Sequence, residues 1–330
     1  MKMKRIVVRE YGAPRVMKVE DVEMGHPGPD EVKVRNYAIG VNYTDVYTRK
    51  GNETYLRGDN KDIEPFTPGK EGAGIILEVG ENVTHFRPGD RVVYTQSFGA
   101  YGECHIVKEN LTLHLPEGLG FEIAASNTLR GLTAHFLMHY TYPVRQGEIA
   151  VVHACTGGVG SLLTQWIKSK GATVIGTVDS DGKKAIAQRL GADFVINTLM
   201  EDVAAKVEEY TQGAKADVVF DGLGQAVADA SLNSLRRFGY YVNYGMVTGS
   251  VKLDLWDLAV HGSLYATFGD LKHHVDDYGR LQSMAKDYFS AILDGTIKID
   301  APLRLPLEEA PKAHELLESN KRNGTIVLIP

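Results

Sequence analysis

The 330-residue chain has little cysteine, little tryptophan and no long apolar run. Its two cysteines, Cys104 and Cys155, lie far apart, which excludes a disulfide framework and favours a reducing compartment. No uninterrupted apolar stretch approaches the roughly 20 residues that a membrane helix needs. The segment 1–8 lacks the longer apolar core and the cleavage site of a signal peptide. We therefore expect a cytoplasmic protein without a membrane partner.

An excess of positive charge is also missing. The formal net charge is −6 and the pI is about 6.0, so the sequence has no electrostatic footprint for nucleic acid or for an acidic membrane surface. The composition is otherwise that of a globular protein, with 43% hydrophobic and 24% charged residues, and the length suffices for about two domains.

The most informative stretch runs from Gly147 to Val178. A short apolar, β-branched run at 148–154 predicts a buried parallel strand, and glycines crowd the turn that follows it. An amphipathic helix and a second buried strand at 172–178 come next. This order of strand, glycine turn, helix and strand is typical of the first βαβ unit of a dinucleotide-binding domain. The residues of the turn and of the apolar helix stripe are Gly157, Gly158, Val159, Gly160, Leu162, Leu163, Trp166 and Ile167.

The turn glycines have a physical role in such a site. Without a Cβ, the backbone of Gly157, Gly158 and Gly160 lets a pyrophosphate approach closely, and the amides at the helix start can donate to it. The usual first glycine of this motif is absent, because Cys155 stands in its place. A tight turn without any ligand is the alternative interpretation.

The pattern changes along the chain. Residues 1–124 carry many short β-forming segments between glycine and proline turns, which indicate a barrel-like β domain. Residues 125–269 alternate strands and helices, which predicts a doubly wound parallel sheet. A helix and a closing strand near the C-terminus favour a return of residues 270–330 to the first domain. The predicted fold class is α/β, with its default ligand site in the cleft between two domains. The strands of the parallel sheet are predicted at 149–154, 173–178, 193–196, 217–221, 239–243 and 264–268.

Several motifs together resemble the medium-chain dehydrogenase/reductase superfamily, and most closely its zinc-independent NADPH:quinone oxidoreductase branch, which includes the zeta-crystallins. The resemblance covers essentially the whole chain. It implies a GroES-like β-barrel domain plus a Rossmann domain, and a homodimer in which the strand at 264–268 pairs with its symmetry mate. The motifs are Asn42-Tyr43-Thr44-Asp45-Val46-Tyr47, Pro68-Gly69-Lys70-Glu71-Gly72-Ala73-Gly74, Pro88-Gly89-Asp90-Arg91-Val92, Gly131-Leu132-Thr133-Ala134, Gly157-Gly158-Val159-Gly160 and Gly262-Ser263-Leu264.

Two positions argue against a catalytic metal. Zinc-dependent members of the superfamily place a cysteine at Asn42 and a histidine at Lys70. A lysine ammonium has no lone pair for a metal, and an amide oxygen is a poor zinc ligand. The sequence therefore excludes the zinc-assisted chemistry of alcohol dehydrogenases.

The resemblance implies NADPH as the cofactor, because Lys183 matches the family's phosphate-binding lysine. A cation near the adenosine ribose favours a 2′-phosphate. Asp179 and Asp181 bring negative charge nearby, and Thr198 stands where the family often has a tyrosine. We expect a preference for NADPH with some use of NADH; the alternative for Lys183 is a solvated lysine at a helix start.

The remaining site residues are also implied by the resemblance. Asn42, Asp45 and Tyr47 are expected to face the nicotinamide as catalytic residues, with Tyr47 donating to the substrate oxygen that gains charge. A packed tyrosine, with water as the proton source, is the alternative. Tyr47 and Tyr55 are expected at the substrate, although a surface role for Tyr55 is equally compatible with the sequence. The cofactor-binding residues are expected to be Asn42, Thr133, Gly157, Gly158, Val159, Gly160, Lys183, Asn243, Gly245, Phe268 and Asn320.

The chain departs from the family pattern near its C-terminus. The family commonly has arginine where Asn320 stands, after Glu318-Ser319, and Arg-Pro where this chain has Phe268-Gly269. The leading interpretation is NADPH-dependent reduction of quinones. An NADPH-dependent enone or enoyl (C=C) reductase is the second, and a non-enzymatic crystallin-like or RNA-binding protein is the third.

Overall fold

A computed structural model describes residues 2–51, 65–319 and 324–330. The chain divides into two compact units. Unit 1 comprises Met1–Leu129, Val275–Phe289 and Ile299–Pro330, and unit 2 comprises Arg130–His274 and Ser290–Lys298.

The described residues form strands and helices in the following chain order. The strands are β1 (Lys2–Val8), β2 (Met17–Glu23), β3 (Glu31–Gly40), β4 (Gly72–Val79), β5 (Arg91–Tyr94), β6 (Cys104–Lys108), β7 (Thr112–His114), β8 (Ile149–Val152), β9 (Thr173–Val178), β10 (Phe194–Asn197), β11 (Ala216–Asp221), β12 (Leu235–Asn243), β13 (Tyr265–Phe268), β14 (Leu303–Pro306) and β15 (Ile326–Ile329). The helices are α1 (Tyr43–Lys50), α2 (Phe121–Phe136), α3 (Gly158–Ser169), α4 (Lys184–Arg189), α5 (Val203–Tyr210), α6 (Ala228–Ser234), α7 (Leu255–Val260), α8 (Tyr278–Leu293) and α9 (Ala310–Glu318).

Unit 1 is built on a mostly antiparallel sheet in the order β14-β15-β3-β4-β5-β7, with β6 also paired to β3. β1 and β2 form a separate antiparallel pair. In β3, buried residues at alternate positions, such as Val32 and Val34, face the core. The C-terminal strand β15 pairs with the end of β3, so the tail belongs to the β-rich unit.

Unit 2 contains a parallel sheet in the order β10-β9-β8-β11-β12-β13. Strands β8, β9 and β11 are short runs rich in β-branched residues and are almost entirely buried, whereas all four residues of the edge strand β13 are exposed. The chain runs outward from β8 to one edge and then from β11 to the other. The carboxyl ends of β8 and β11 therefore meet at a topological switch point, where open α/β sheets bind their ligands.

The sequence located the parallel strands well but misjudged several helices. The alternating pattern of residues 125–269 predicts one helix over 226–235. The structure instead has a 3₁₀ turn followed by α6, and Leu235 already begins the long strand β12. The same pattern predicts a helix over 183–190, and this helix begins at Lys184, after a 3₁₀ turn over Asp181–Lys183. Helices α1 and α2 were not predicted. α1 is polar over most of its length, so its apolar periodicity is weak.

Among the described residues, no helix is both long enough and apolar enough to cross a bilayer.

Candidate functional site

The N-terminus of α1 brings together three of the predicted site residues in unit 1. Asn42 has an extended backbone, and its N–H donates to Asp45 Oδ2 over 2.8 Å, which fixes the first turn of the helix. Gly51, with φ of 75°, ends the helix in the left-handed conformation. Asn42 and Asp45 have the spacing of a helix start, and Gly51 is a typical helix end. This pattern in the sequence could have predicted α1.

The side chain of Asn42 is fixed by a buried carboxylate. Its Nδ2 donates to Glu71 Oε1 over 2.7 Å, and the backbone N–H of Leu129 donates to Glu71 Oε2 over the same distance. Glu71 is fully buried. A Cβ on Gly40 would lie 2.5 Å from Glu71 Oε1 and 2.0 Å from Ala125 O, so only glycine fits there. Glu71, which was not predicted as a site residue, thus sets the direction of the Asn42 amide.

Asp45 belongs to a second buried network. Tyr101 donates its hydroxyl hydrogen to Asp45 Oδ2 over 3.0 Å, and His314 Nε2 lies 3.0 Å from the same hydroxyl oxygen. All three side chains are buried. Since Tyr101 donates to the carboxylate, the neutral His314 ring donates from Nε2 to the Tyr101 oxygen. Asp45 accepts hydrogen bonds from Tyr101 and from the start of α1, an arrangement that suits a positioning role.

The environment of this network shifts its pKa values away from neutrality. Burial, and then the negative charge of Asp45, raise the pKa of Tyr101 well above its usual value. Burial, and then the cations Arg49 and Lys50, lower the pKa of His314 from 6.5 to about 3. His314 is therefore neutral in the folded protein over the physiological range.

A His314→Gln variant is expected to lose less stability in acid than the wild type. Between pH 6.5 and about 3 the unfolded chain binds a proton at His314 that the folded chain does not, so stability falls as the pH falls. The cost is about 1.4 kcal/mol per pH unit in this window. Denaturant unfolding of both proteins at pH 7, 6 and 5 measures the difference. Parallel pH curves for the two proteins would contradict it.

The other end of α1 is tied to α9. Arg49, which is completely buried, pairs with Glu318 over 2.6 Å, and Lys50 pairs with the same carboxylate over 2.5 Å. The hydroxyl of Tyr43 donates to Leu317 O over 3.1 Å. Tyr47 is half-buried, with its ring centroid 6.1 Å from that of Tyr43. Helix α1 is thus fixed at its start by the Asn42–Asp45 hydrogen bond and along its length by contacts with α9. Tyr47 therefore projects from a well-anchored helix.

In unit 2 the glycine turn follows β8 and opens α3. A Cβ on Gly160 would lie 2.3 Å from the carbonyl oxygen of Ala154, so glycine is required for the helix to pack against the turn. A Cβ on Gly158 would lie 2.9 Å from Arg130 Nε. Ala154 itself adopts φ of 48°, a strained conformation for alanine. The first amides of α3 have no acceptors within the helix, so this turn suits an anion.

The departure at Cys155 has a packing explanation. Its side chain is fully buried, and a Cβ on Gly176 of β9 would lie 2.5 Å from its sulfur. The thiol therefore fills the space that Gly176 leaves open beneath the turn. Burial raises the pKa of Cys155 to about 12, so the thiol stays protonated.

Lys183 lies just after the end of β9. Its Nζ is 2.8 Å from Asp179 Oδ1 and 3.1 Å from Asp179 Oδ2. Thr198, at the end of the neighbouring strand, donates its hydroxyl to Val178 O over 3.3 Å. The cation expected at the adenosine ribose is present at this edge of the sheet, and it is held by a carboxylate.

Asn243 at the end of β12 is buried. Its amide nitrogen donates to Asp221 Oδ2 over 3.0 Å and to Gly245 O over 3.0 Å, which fixes the loop 243–245. Asp221, which was not predicted, also accepts from Tyr241 over 2.6 Å and from the backbone N–H of Leu223 over 2.7 Å. Asp221 therefore organises the carboxyl ends of β11 and β12.

The other predicted residues are dispersed. Phe268 is exposed at the end of the edge strand β13, and Thr133 is buried in α2. Tyr55 and Asn320 lie outside the described residues. The structure thus groups the predicted residues into the α1 cluster of unit 1 and the carboxyl edge of the sheet in unit 2.

Two family models match most of the chain. Residues 28–145 match the alcohol dehydrogenase GroES-like domain, and residues 158–274 match the zinc-binding dehydrogenase domain. These matches and the parallel sheet confirm the predicted fold class of a GroES-like domain plus a Rossmann domain.

Full-length relatives identify the branch. A quinone oxidoreductase of Pseudomonas aeruginosa is 40% identical, with 99% of each chain covered. A 2-haloacrylate reductase of Burkholderia is 34% identical, with 98% of each chain covered. The crystal structure of Escherichia coli quinone oxidoreductase complexed with NADPH superposes with a TM-score of 0.94 at 37% identity, covering 99% of this chain and 100% of the other. This chain belongs to the quinone oxidoreductase branch of the medium-chain dehydrogenase/reductase superfamily.

Proposed function

We propose that the protein reduces quinones by hydride transfer from NADPH. The observation that carries this proposal is full-length similarity to quinone oxidoreductases, including one whose crystal structure contains NADPH. The glycine turn and Lys183 support it from the structure, because the first amides of α3 can donate to a diphosphate and the lysine supplies a cation for a 2′-phosphate.

The residues of the carboxyl edge in unit 2 fit this cofactor. The amides at the start of α3 would hold the diphosphate, since Gly158 and Gly160 let the helix start pack closely against Arg130 and Ala154. Lys183 would hold the 2′-phosphate. The loop fixed by Asn243 and Asp221 would border the nicotinamide half. When bound, NADPH supplies the hydride. The further contacts proposed for it are those of Asn42, Thr133, Val159, Gly245, Phe268 and Asn320.

The α1 cluster would act on the substrate. Tyr47 would donate a hydrogen bond, and then a proton, to the substrate oxygen on which negative charge develops. Asn42, with its amide held by Glu71, would orient the reacting groups. Asp45 would act through the helix start that it fixes, as a positioning residue.

A Tyr47→Phe variant is expected to lower kcat at least tenfold with a smaller change in KM, because the phenol stabilises charge that exists only in the transition state. Steady-state kinetics with a small quinone, at several pH values, measures the effect. Tyr43→Phe is the matched control, since it removes a phenol from the same helix whose hydrogen bond goes to Leu317 O. An unchanged kcat in Tyr47→Phe would assign proton delivery to water.

A second activity, reduction of an activated C=C bond, is favoured by the similarity to 2-haloacrylate reductase. The test is to follow the oxidation of NADPH, and separately of NADH, with a small quinone, with a simple enone and with a haloacrylate. Rapid oxidation with the quinone alone would support quinone reduction. Rapid oxidation only with an activated alkene would assign the second activity, and no turnover despite NADPH binding would refute both.

The donor set does not fit the zinc named in the family description. Asn42 turns its amide nitrogen to Glu71, and Lys70 supplies an ammonium where a ligand would be needed. Within the described residues, no group of three or more histidine, cysteine, aspartate or glutamate side chains could hold a metal ion. We therefore propose hydride transfer without zinc, and expect chelators to leave turnover unchanged.

We also propose that the protein is a cytoplasmic homodimer. All four residues of the edge strand β13 are exposed, which leaves unpaired strand groups for a second copy. The neighbouring helix α7 exposes Leu255 by 83% and Trp256 by 71%, an apolar surface that such pairing would cover. Sedimentation velocity, which gives the mass of the particle in solution, tests the dimer. Both cysteines are free and buried, in keeping with a reducing compartment.

A further inference from the structure

The ion pair of Lys183 with Asp179 bears on the choice between NADPH and NADH. Asp179 is the first residue after β9, and the 3₁₀ turn over Asp181–Lys183 brings Lys183 back onto it, with 2.8 Å between Nζ and Oδ1. The Lys183 side chain is 18% exposed and that of Asp179 is 39% exposed. The ammonium therefore already has an anionic partner at the place where a 2′-phosphate would need it.

A second pair of the same charges lies in the same turn but points elsewhere. Lys184 pairs with Asp181 over 3.0 Å and with Glu201 over 3.1 Å. The amide of Asn197 also donates to Asp181, over 3.1 Å. Asp181 and Lys184 are thus engaged with residues around the end of β10. The loop offers two acid–lysine pairs with equal charge and different surroundings.

The Asp179–Lys183 pair affects the two nucleotides in opposite ways. A 2′-phosphate brings up to two negative charges to Lys183, and the carboxylate 2.8 Å from the ammonium repels them. A free 2′-hydroxyl, in contrast, can donate to the Asp179 carboxylate without disturbing the lysine. A strand-end carboxylate that accepts from ribose hydroxyls is how Rossmann sites hold NADH.

We propose that Asp179 is the specificity-determining residue that limits the preference for NADPH, by holding Lys183 and by accepting from the ribose hydroxyl of NADH. This inference rests on the cofactor placement proposed above. Lys183 and Asp179 have opposite effects: the lysine favours binding of the 2′-phosphate of NADPH, and the aspartate reduces this preference over NADH.

An Asp179→Asn variant is expected to bind NADPH more tightly and NADH more weakly. The ratio of the two dissociation constants should shift about tenfold in favour of NADPH, since a charged partner of the lysine is lost while the side-chain shape is kept. Equilibrium titration of nucleotide fluorescence measures both constants without any turnover. Asp179→Ser is a second variant at this half-exposed position, and thermal melting verifies that both variants fold.

Matched variants separate a local effect from a general one. Asp181→Asn removes the same charge from the same turn and should leave the ratio unchanged; an equal shift in both variants would overturn the proposal. Lys183→Met should weaken NADPH and spare NADH. In the Lys183→Met background, Asp179→Asn should no longer tighten NADPH binding, and tightening that persists there would show that Asp179 does not act through Lys183.

Failure of the inference is distinguishable from failure of the proposed function. Wild-type protein that binds NADPH and reduces quinone, with the same ratio in Asp179→Asn, would overturn the inference alone. Wild-type protein that binds neither nucleotide would overturn both.

Discussion

Gly160→Val is expected to raise the dissociation constant for NADPH at least a hundredfold. A Cβ at this position would lie 2.3 Å from Ala154 O and 3.0 Å from Ala154 C, and both atoms belong to the backbone of the turn. Because Ala154 already adopts φ of 48°, the turn has little freedom to move aside. The helix start must therefore shift, and its amides leave the positions that suit a diphosphate.

The measurement is an equilibrium titration with NADPH, together with the circular dichroism of each variant. Gly25→Ala is the control, because a Cβ at that exposed position meets nothing within 4 Å. Gly158→Ala should weaken binding less than Gly160→Ala, since the Cβ at Gly158 meets the Arg130 side chain rather than backbone. The reverse order would mean that closeness to the diphosphate, and not helix packing, makes these glycines necessary.

That expectation differs from the one the sequence alone supports. A glycine-rich turn suggests that each glycine makes room for the ligand. In the structure, Gly160 makes room for Ala154, and Gly176 makes room for the Cys155 thiol. The sequence identifies the turn, because glycine spacing is local. It does not reveal which neighbour each glycine accommodates, because those neighbours come from other parts of the chain.

Strands and helices also differ in how far the local sequence determines them. The strands of the parallel sheet were predictable, because buried strands are continuous β-branched runs such as Ile149–Val152. Helix α1 was not, since its sequence is mostly polar and its packing depends on partners such as Glu318, far along the chain. The family resemblance implied site roles for Asn42 and Asp45, but it did not indicate their partners Glu71 and Tyr101, which are set by tertiary contacts.

The structural roles of Asp221 and Glu71 could not be predicted from the sequence. Each is a fully buried carboxylate that accepts several hydrogen bonds and so fixes a loop or a helix start. In the sequence, both are ordinary acidic residues: Asp221 is the last residue of a strand, and Glu71 directly precedes one. A buried carboxylate is costly unless its donors surround it, so its presence can be explained only once those donors are known.

Glu71→Ala is accordingly expected to lower the free energy of unfolding by about 3–5 kcal/mol. The change leaves Asn42 Nδ2 and the Leu129 N–H without their acceptor in a buried place, and it opens a cavity beside Gly40. Denaturant unfolding measures the loss. Glu10→Ala, at an exposed position, is the control and should change stability by less than about 0.5 kcal/mol.

Glu71→Gln separates the shape of this side chain from its ability to accept two hydrogen bonds. Its carbonyl oxygen can accept from only one of the two donors, while its own amide faces the other, so an intermediate loss of stability is expected. Asn42→Ala should cost less than Glu71→Ala, because it leaves the Leu129 N–H satisfied. The double variant should cost less than the sum of the two single changes, since both remove the Asn42–Glu71 hydrogen bond. Strict additivity would contradict a direct coupling between the Asn42 and Glu71 side chains.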